Sequence, residues 1–110
     1  MQKIATLLIG LAAGAIICAS PAGADDNQFL AHLKSSGVVH PALSDSDLLL
    51  HGRMACIEVG NVGMPPDSAR VWIYNDLQVR GFPPNYAAAG TLVHYALQDL
   101  CPEVPNTTGL

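Results

Sequence analysis

The sequence predicts an all-α fold, in which a small four-helix domain is cross-linked by one disulfide behind a cleaved signal peptide. Three observations predict it. Four segments carry apolar residues at helical spacing, and glycine or proline interrupts the chain between them. No segment alternates apolar and polar residues as a half-buried strand would. Only two cysteines remain once the N-terminal segment is removed.

The first residues have the pattern of a secretory signal peptide. Lys3 supplies a positive start, residues 4–17 are apolar or small, and an A-x-A pattern ends at Ala24. The apolar run is shorter than the roughly 20 residues that a spanning helix needs. We therefore expect residues 1–24 to be removed and the remainder to be secreted or extracellular. Two alternatives stay open, namely retention as an N-terminal anchor and lipidation of Cys18, although two isoleucines precede Cys18 where lipidation needs a small residue.

The first helix is expected to begin at the capping carboxylates of Asp25 and Asp26 and to stop at Gly37. Its apolar residues at helical spacing are Phe29, Leu30 and Leu33.

The second helix is expected to begin at the caps of residues 44–47 and to run to about Val59. One face of it carries Leu49, Gly52, Cys56 and Val59. Since glycine inside a helix costs about 1 kcal/mol relative to alanine, Gly52 predicts the close approach of another helix.

Asp67 or Ser68 is expected to cap a third helix through Gln78, with Ala69, Trp72, Ile73 and Leu77 facing inward. A fourth runs from Asn85 to about Leu100, because Pro102 forbids its continuation. One broad stripe of the fourth helix carries Tyr86, Gly90, Val93, Leu97, Leu100 and Cys101. The predicted organisation is a helical domain over residues 25–104 and a flexible tail over residues 105–110.

Removal of the signal peptide leaves Cys56 and Cys101 in a chain directed to an oxidising compartment, where one intramolecular pairing is possible. A disulfide between them would stabilise so small a domain by about 4 kcal/mol in the chain-entropy model. The alternatives are a free, intermolecular or catalytic thiol.

Three stretches of the mature sequence together carry a family resemblance. They are Asp26-Asn27-Gln28-Phe29-Leu30, then Gly52-Arg53-Met54-Ala55-Cys56, and finally Ala96-Leu97-Gln98-Asp99-Leu100-Cys101-Pro102. In their order and spacing the chain resembles a family of small secreted mycobacterial proteins catalogued as domain of unknown function 732, over residues 25–104. The resemblance implies an exported helical domain with its two cysteines paired, and it implies no activity. The third helix departs from the family pattern through Arg70, Trp72, Tyr74 and Arg80, so the identity of a partner is not carried over.

Composition and motifs exclude several classes of function. The chain has nine acidic residues against five basic ones, and the basic residues are scattered, so we expect neither nucleic-acid binding nor electrostatic membrane binding. The four histidines lack the spacing of metal ligands on one helical face, and we predict no metal and no cofactor. The serines and aspartates occupy cap positions and no nucleophile-elbow motif is present, so we predict no enzymatic activity.

Aromatic residues supply the candidate contacts. Trp72, Tyr74 and Val79 with Phe82 form a predicted cluster from the third helix into the following loop, which is either core or a binding surface. The leading hypothesis is an exported, non-enzymatic module that binds a protein, glycan or lipid in the cell envelope or medium. The alternative is a small-ligand carrier, for example of haem, using His94 and a tyrosine such as Tyr86. A cavity beside His94 would favour the carrier, and an exposed Trp72 would favour the binding module.

Overall fold

A computed structural model describes residues 24–106, and these form four helices and no strand. Helix α1 spans Asp26–Ser35 and helix α2 spans Asp45–Cys56, which continues as a π-helical turn over Ile57–Asn61. Helix α3 spans Pro66–Val79. Helix α4 spans Tyr86–Tyr95 and also continues as a π-helical turn, over Ala96–Leu100. The predicted all-α, four-helix fold is confirmed.

Most helix starts follow from side-chain caps. The Asp25 carboxylate accepts from the backbone N–H of Gln28, and Ser44 and Asp47 form a reciprocal capping box at the start of α2. Asn85 caps α4 in the same way. Helix α3 begins at Pro66 and lacks a side-chain cap, so the expected cap at Asp67 or Ser68 was wrong. Proline suits the first helical position, where its missing N–H has no intrahelical partner to lose.

Helices α1 and α3 end in the same way. Gly37 and Gly81 have positive φ, and each is followed by an apolar residue whose N–H bonds back to the helix. The Val38 N–H donates to the Leu33 carbonyl at 2.8 Å, and the Phe82 N–H donates to the Leu77 carbonyl at 3.0 Å. This is the Schellman arrangement, in which the residue after the glycine packs against the last turn. Val38 and Phe82 are accordingly buried.

The core lies between all four helices and holds few polar groups. Its largest fully buried aliphatic and aromatic side chains come from α1, α2, α3 and α4 with its π-turn, namely Phe29, Leu33, Leu48, Ile73, Leu77, Leu92, Leu97 and Leu100. Gly52 lies in this core as the sequence predicts. A Cβ built on Gly52 would lie 2.6 Å from Leu100 Cδ1 and 2.7 Å from Phe29 Cζ, so side chains from two other helical segments occupy the space over the glycine.

Cys56 and Cys101 form a disulfide, with Cα atoms 6.0 Å apart. The bond joins the last residue of α2 to the residue that follows the second π-turn, and that turn packs against α2. The predicted pairing is therefore confirmed, and it answers whether Cys56 is a reactive thiol or a structural one.

Two predictions about chain ends fall largely outside the described residues. The signal peptide covers residues 1–24, of which only Ala24 is described. Of the predicted tail, residues 105 and 106 are described, and the Asn106 amide donates to the backbone carbonyl of His94 at 3.3 Å. Within residues 24–106, no helix has the length and apolar character that crossing a membrane requires.

Candidate binding surface

Trp72 lies on the outside of α3, so its predicted inward orientation was wrong. Its side chain is 61% exposed, whereas Ala69, Ile73 and Leu77 are buried. The three buried residues are spaced four apart and define one stripe, and Trp72 is rotated about 100° from Ile73. Helix α3 carries more apolar residues than one buried stripe can accommodate.

A strip of uncharged residues runs along the exposed side of α3. We call it the α3 face and define it by Val71, Trp72, Asn75 and Val79, which project from the same side of the helix over two turns. Val71 is 44% exposed and Val79 is 85% exposed. The nearby carboxylate of Asp76 contacts His51 and Arg80. The α3 face therefore exposes one aromatic and two aliphatic side chains.

Tyr74 and Tyr86 belong to a different cluster. Their rings meet edge to face with centroids 5.3 Å apart. The Arg70 guanidinium lies 3.8 Å from the centroid of the Tyr86 ring, and Arg70 Nε donates to the Tyr86 carbonyl at 3.0 Å. These contacts tie the first half of α3 to the start of α4. Tyr86, although partly exposed, thus packs against Arg70 and Tyr74 and helps to fix the position of α3.

Phe82 is in the core, so the expected continuous cluster with Trp72 and Tyr74 was wrong. Only 7% of its surface is exposed, and its ring meets that of His40 edge to face at 5.7 Å. The cause is the Schellman turn at Gly81, which directs Phe82 back against the end of α3.

His94 is half-buried, in a row of rings at the other end of α4. Its ring centroid is 4.8 Å from that of Tyr95, which in turn stacks on His32 at 4.5 Å. His32 Nδ1 lies 2.7 Å from the buried carboxylate of Asp99. Eight residues, or about 12 Å of helix, separate His94 from Tyr86. The tyrosine beside His94 is Tyr95, and His94 lines neither the pocket beside Cys56 and Cys101 nor the more open pockets beside Leu43 and Leu97.

Sequence reasoning missed the fully buried His51. Its Nδ1 lies 2.6 Å from the Asp47 carbonyl, and its Nε2 contacts the carboxylate of Asp76, which also accepts from Arg80 Nε at 3.0 Å. Both ring nitrogens of His51 therefore face acceptor oxygens, one on α2 and one on α3. The signal was present in the sequence, because Leu48, His51, Gly52 and Ala55 lie on one face of α2, and all four are buried.

Two carboxyl groups at the His51–Asp76 contact have shifted pKa values. Burial alone would raise the pKa of Asp76, but hydrogen bonds from His51 and Arg80 together with their charges outweigh burial and lower it. Burial raises the pKa of Glu58, and the charge of Asp76 raises it further. Oε1 of Glu58 is shielded from solvent and has no hydrogen-bond partner. His51 and Asp76 join α2 to α3, so we expect the charges of Asp76 and Glu58 to affect the stability of the fold.

Metal-ligating groups do not converge in the described part of the chain. Residues 24–106 contain no group of three or more His, Cys, Asp or Glu side chains placed to hold a metal ion. The paired histidines instead contact carboxylates, His32 with Asp99 and His51 with Asp76.

Comparison with known proteins places the chain in a family. A family model described as "Protein of unknown function (DUF732)" matches residues 24–103. Comparison with curated proteins and with solved structures finds no match. The matched residues include all four helices and both cysteines of the disulfide. The chain therefore belongs to the DUF732 family, as the resemblance in its sequence indicated.

Proposed function

We propose that this protein is an exported, non-enzymatic binding module and that the α3 face contacts a partner protein. One observation carries the proposal, namely that Trp72 is 61% exposed between two exposed valines. Export is supported by the signal-peptide pattern of residues 1–24.

The composition of the α3 face favours binding. Tryptophan is enriched among the residues that dominate interface energetics, and charged residues are depleted at interface centres. The four residues of the α3 face are uncharged, and Trp72 lies among them with both valines within two helical turns. A partner that covered Trp72 would remove a large apolar area from water.

The cations near the α3 face argue for a protein in preference to an anionic lipid surface. Membrane-surface helices place Lys and Arg beside their apolar face. Here Arg70 is engaged by Tyr86, and Arg80 is engaged by Asp76. A protein with its own apolar contact surface is thus the partner class that suits the α3 face best, and glycan and lipid become outcomes of the test.

Two histidine–carboxylate pairs also support a non-enzymatic role, because each is fixed in the packing between helices. His51, with a carboxylate partner, is fully buried, and the Asp99 carboxylate is buried against His32. Both pairs lie at contacts between helices and stabilise the packing. The haem-carrier alternative has less support, since Tyr86 lies in a separate cluster and Tyr95, the tyrosine in contact with His94, is stacked on His32.

Two tests of the proposal are available. Trp72 is the single tryptophan of the chain, so the fluorescence of the protein reports on the α3 face, and the second test uses that signal. We would replace Asn75 with a photo-crosslinking phenylalanine analogue and irradiate the protein with extracellular and envelope protein fractions. We expect a defined crosslinked species that Trp72→Ala abolishes. Val39→Ala is the matched control, since Val39 is half-exposed but lies outside α3.

A fluorescence titration distinguishes the other partner classes. We would titrate the protein with neutral and anionic phospholipid vesicles and with the envelope polysaccharide fraction, and follow the emission maximum. A blue shift with vesicles or polysaccharide, without a crosslink dependent on Trp72, would overturn the protein-partner proposal. An equal effect of Val39→Ala and Trp72→Ala on crosslinking would overturn the role of the α3 face.

A further inference from the structure

A pocket lies beside the disulfide, between the start of α1, the π-turn after α2 and the segment after Cys101. Its volume is about 210 Å³. The apolar part of its wall is formed by Ile57, Leu100, Val104 and the two cysteines, and Ala24, the last residue of the expected signal peptide, also lines it. The pocket shares no residue with the α3 face, so what it binds is independent of the function proposed above.

The volume sets the size of a ligand. An engineered apolar cavity of about 150 Å³ accepts benzene, which has six heavy atoms. In proportion, a pocket of about 210 Å³ accommodates a flat group of roughly eight or nine heavy atoms, which is the size of an indole ring. A long acyl chain is too large.

The polar residues at the rim set the charge of a ligand. Asp26 and Arg53 form an ion pair with Oδ2 and Nη2 2.6 Å apart, so their charges cancel within the wall. Glu103, also in the wall, has an exposed side chain. Cleavage after Ala24 would place an α-ammonium on Asp25 next to the Asp25 carboxylate, and these two charges are opposite. Glu103 then leaves the field at the rim negative, which favours a cationic group over a carboxylate.

Asp26 also holds an unsatisfied acceptor. Its Oδ1 is shielded from solvent and has no hydrogen-bond partner. Since Asp26 lines the pocket, an ammonium group bound at the rim could supply the missing donor. Size, apolar wall, negative rim and spare acceptor all point to the same kind of molecule.

We propose that the pocket beside the disulfide is a binding site for a small aromatic cation, with a ring of benzene to indole size in the apolar part and an ammonium group at the rim near Asp26 and Glu103. The ring contacts Ile57, Leu100 and Val104. Recognition depends on the disulfide, because Cys56 and Cys101 form one wall.

The test uses three ligands with the same ring and different charge, namely indole, tryptamine and indole-3-propionate. Methyl NMR of the protein gives both the site and the affinity. We expect saturable shifts of the Ile57, Leu100 and Val104 methyl signals, with tryptamine binding more tightly than indole-3-propionate by about fivefold or more at low ionic strength.

Two variants separate this site from non-specific binding. Val104→Phe fills the pocket and should abolish the methyl shifts, whereas Val62→Phe, at an exposed position outside the pocket wall, should leave them unchanged. Glu103→Lys should reverse the preference between tryptamine and indole-3-propionate. Glu103 is exposed, so this variant keeps the test decisive even if Val104→Phe fails to fold. Absence of shifts at these methyls at millimolar ligand, or an unchanged preference in Glu103→Lys, would overturn the proposal.

Discussion

Loss of the Cys56–Cys101 disulfide is expected to remove much of the stability of the domain. The bond closes a loop with a sequence separation of 45 residues. In the chain-entropy model, a loop of this length lowers the entropy of the unfolded chain enough to stabilise the fold by about 4 kcal/mol. At about 0.05–0.15 kcal/mol per residue, the 83 described residues imply a total of roughly 4–12 kcal/mol. The disulfide should therefore supply between about a third and all of the total.

Urea unfolding of the oxidised protein, the reduced protein and the Cys56→Ala/Cys101→Ala variant measures this effect. Far-UV circular dichroism is the suitable signal, because the exposed Trp72 is a poor reporter of core packing. We expect the reduced protein and the double variant to lose about 4 kcal/mol, and the variant to be insensitive to reductant. A loss below about 1 kcal/mol in both would refute the loop-entropy reasoning and would mean that helix packing alone holds α2 against the π-turn after α4.

Three further substitutions test the described contacts. Asp76→Ala should cost about 1–3 kcal/mol near neutral pH, because it leaves a buried ring nitrogen of His51 without its partner. The pKa of Asp76 is lowered in the folded protein, so this loss of stability should vanish as the pH falls through that lowered value. Urea unfolding at a series of pH values checks both expectations. Glu58→Gln should stabilise the protein at neutral pH, because burial and the charge of Asp76 raise the pKa of Glu58 and its ionisation then costs stability. This gain in stability should disappear below the ordinary pKa of glutamate. Glu103→Gln, at an exposed position, is the control and should show no such gain. Gly52→Ala should lower the thermal midpoint, since overpacking costs about 1–3 kcal/mol and improved helix propensity returns only about 1 kcal/mol; an unchanged midpoint would mean that the neighbouring side chains move aside.

Local chemistry made much of the fold predictable. Glycine at Gly37 and Gly81 supplies the positive φ that a helix end needs, and Ser44 and Asn85 supply the caps. These signals depend on a few neighbouring residues, so they can be read from sequence without knowing the tertiary packing. The disulfide was predictable for a different reason, since two cysteines leave one intramolecular pairing.

The orientation of α3 could not be predicted because it depends on its neighbours. The helix has apolar residues on more than half of its circumference, and both a stripe through Trp72 and a stripe through Ile73 fit helical spacing. Polar contacts between residues far apart in the sequence decide which of the two stripes is buried. Arg70 bonds to Tyr86, and Asp76 bonds to His51 on α2. No local pattern encodes these two pairings.

These two contacts explain how the protein can expose a tryptophan on a well-fixed helix. Helix α3 lacks a side-chain cap, and of the four described helices it is the one without one. Arg70 instead holds its first half to α4, and Asp76 holds its second half to α2. The α3 face lies on the side of the helix between these attachments. A side chain presented from a fixed helix loses less conformational freedom on binding than one presented from a mobile loop. The contacts of Arg70 and Asp76 would therefore also lower the entropic cost of binding the partner that we propose for the α3 face.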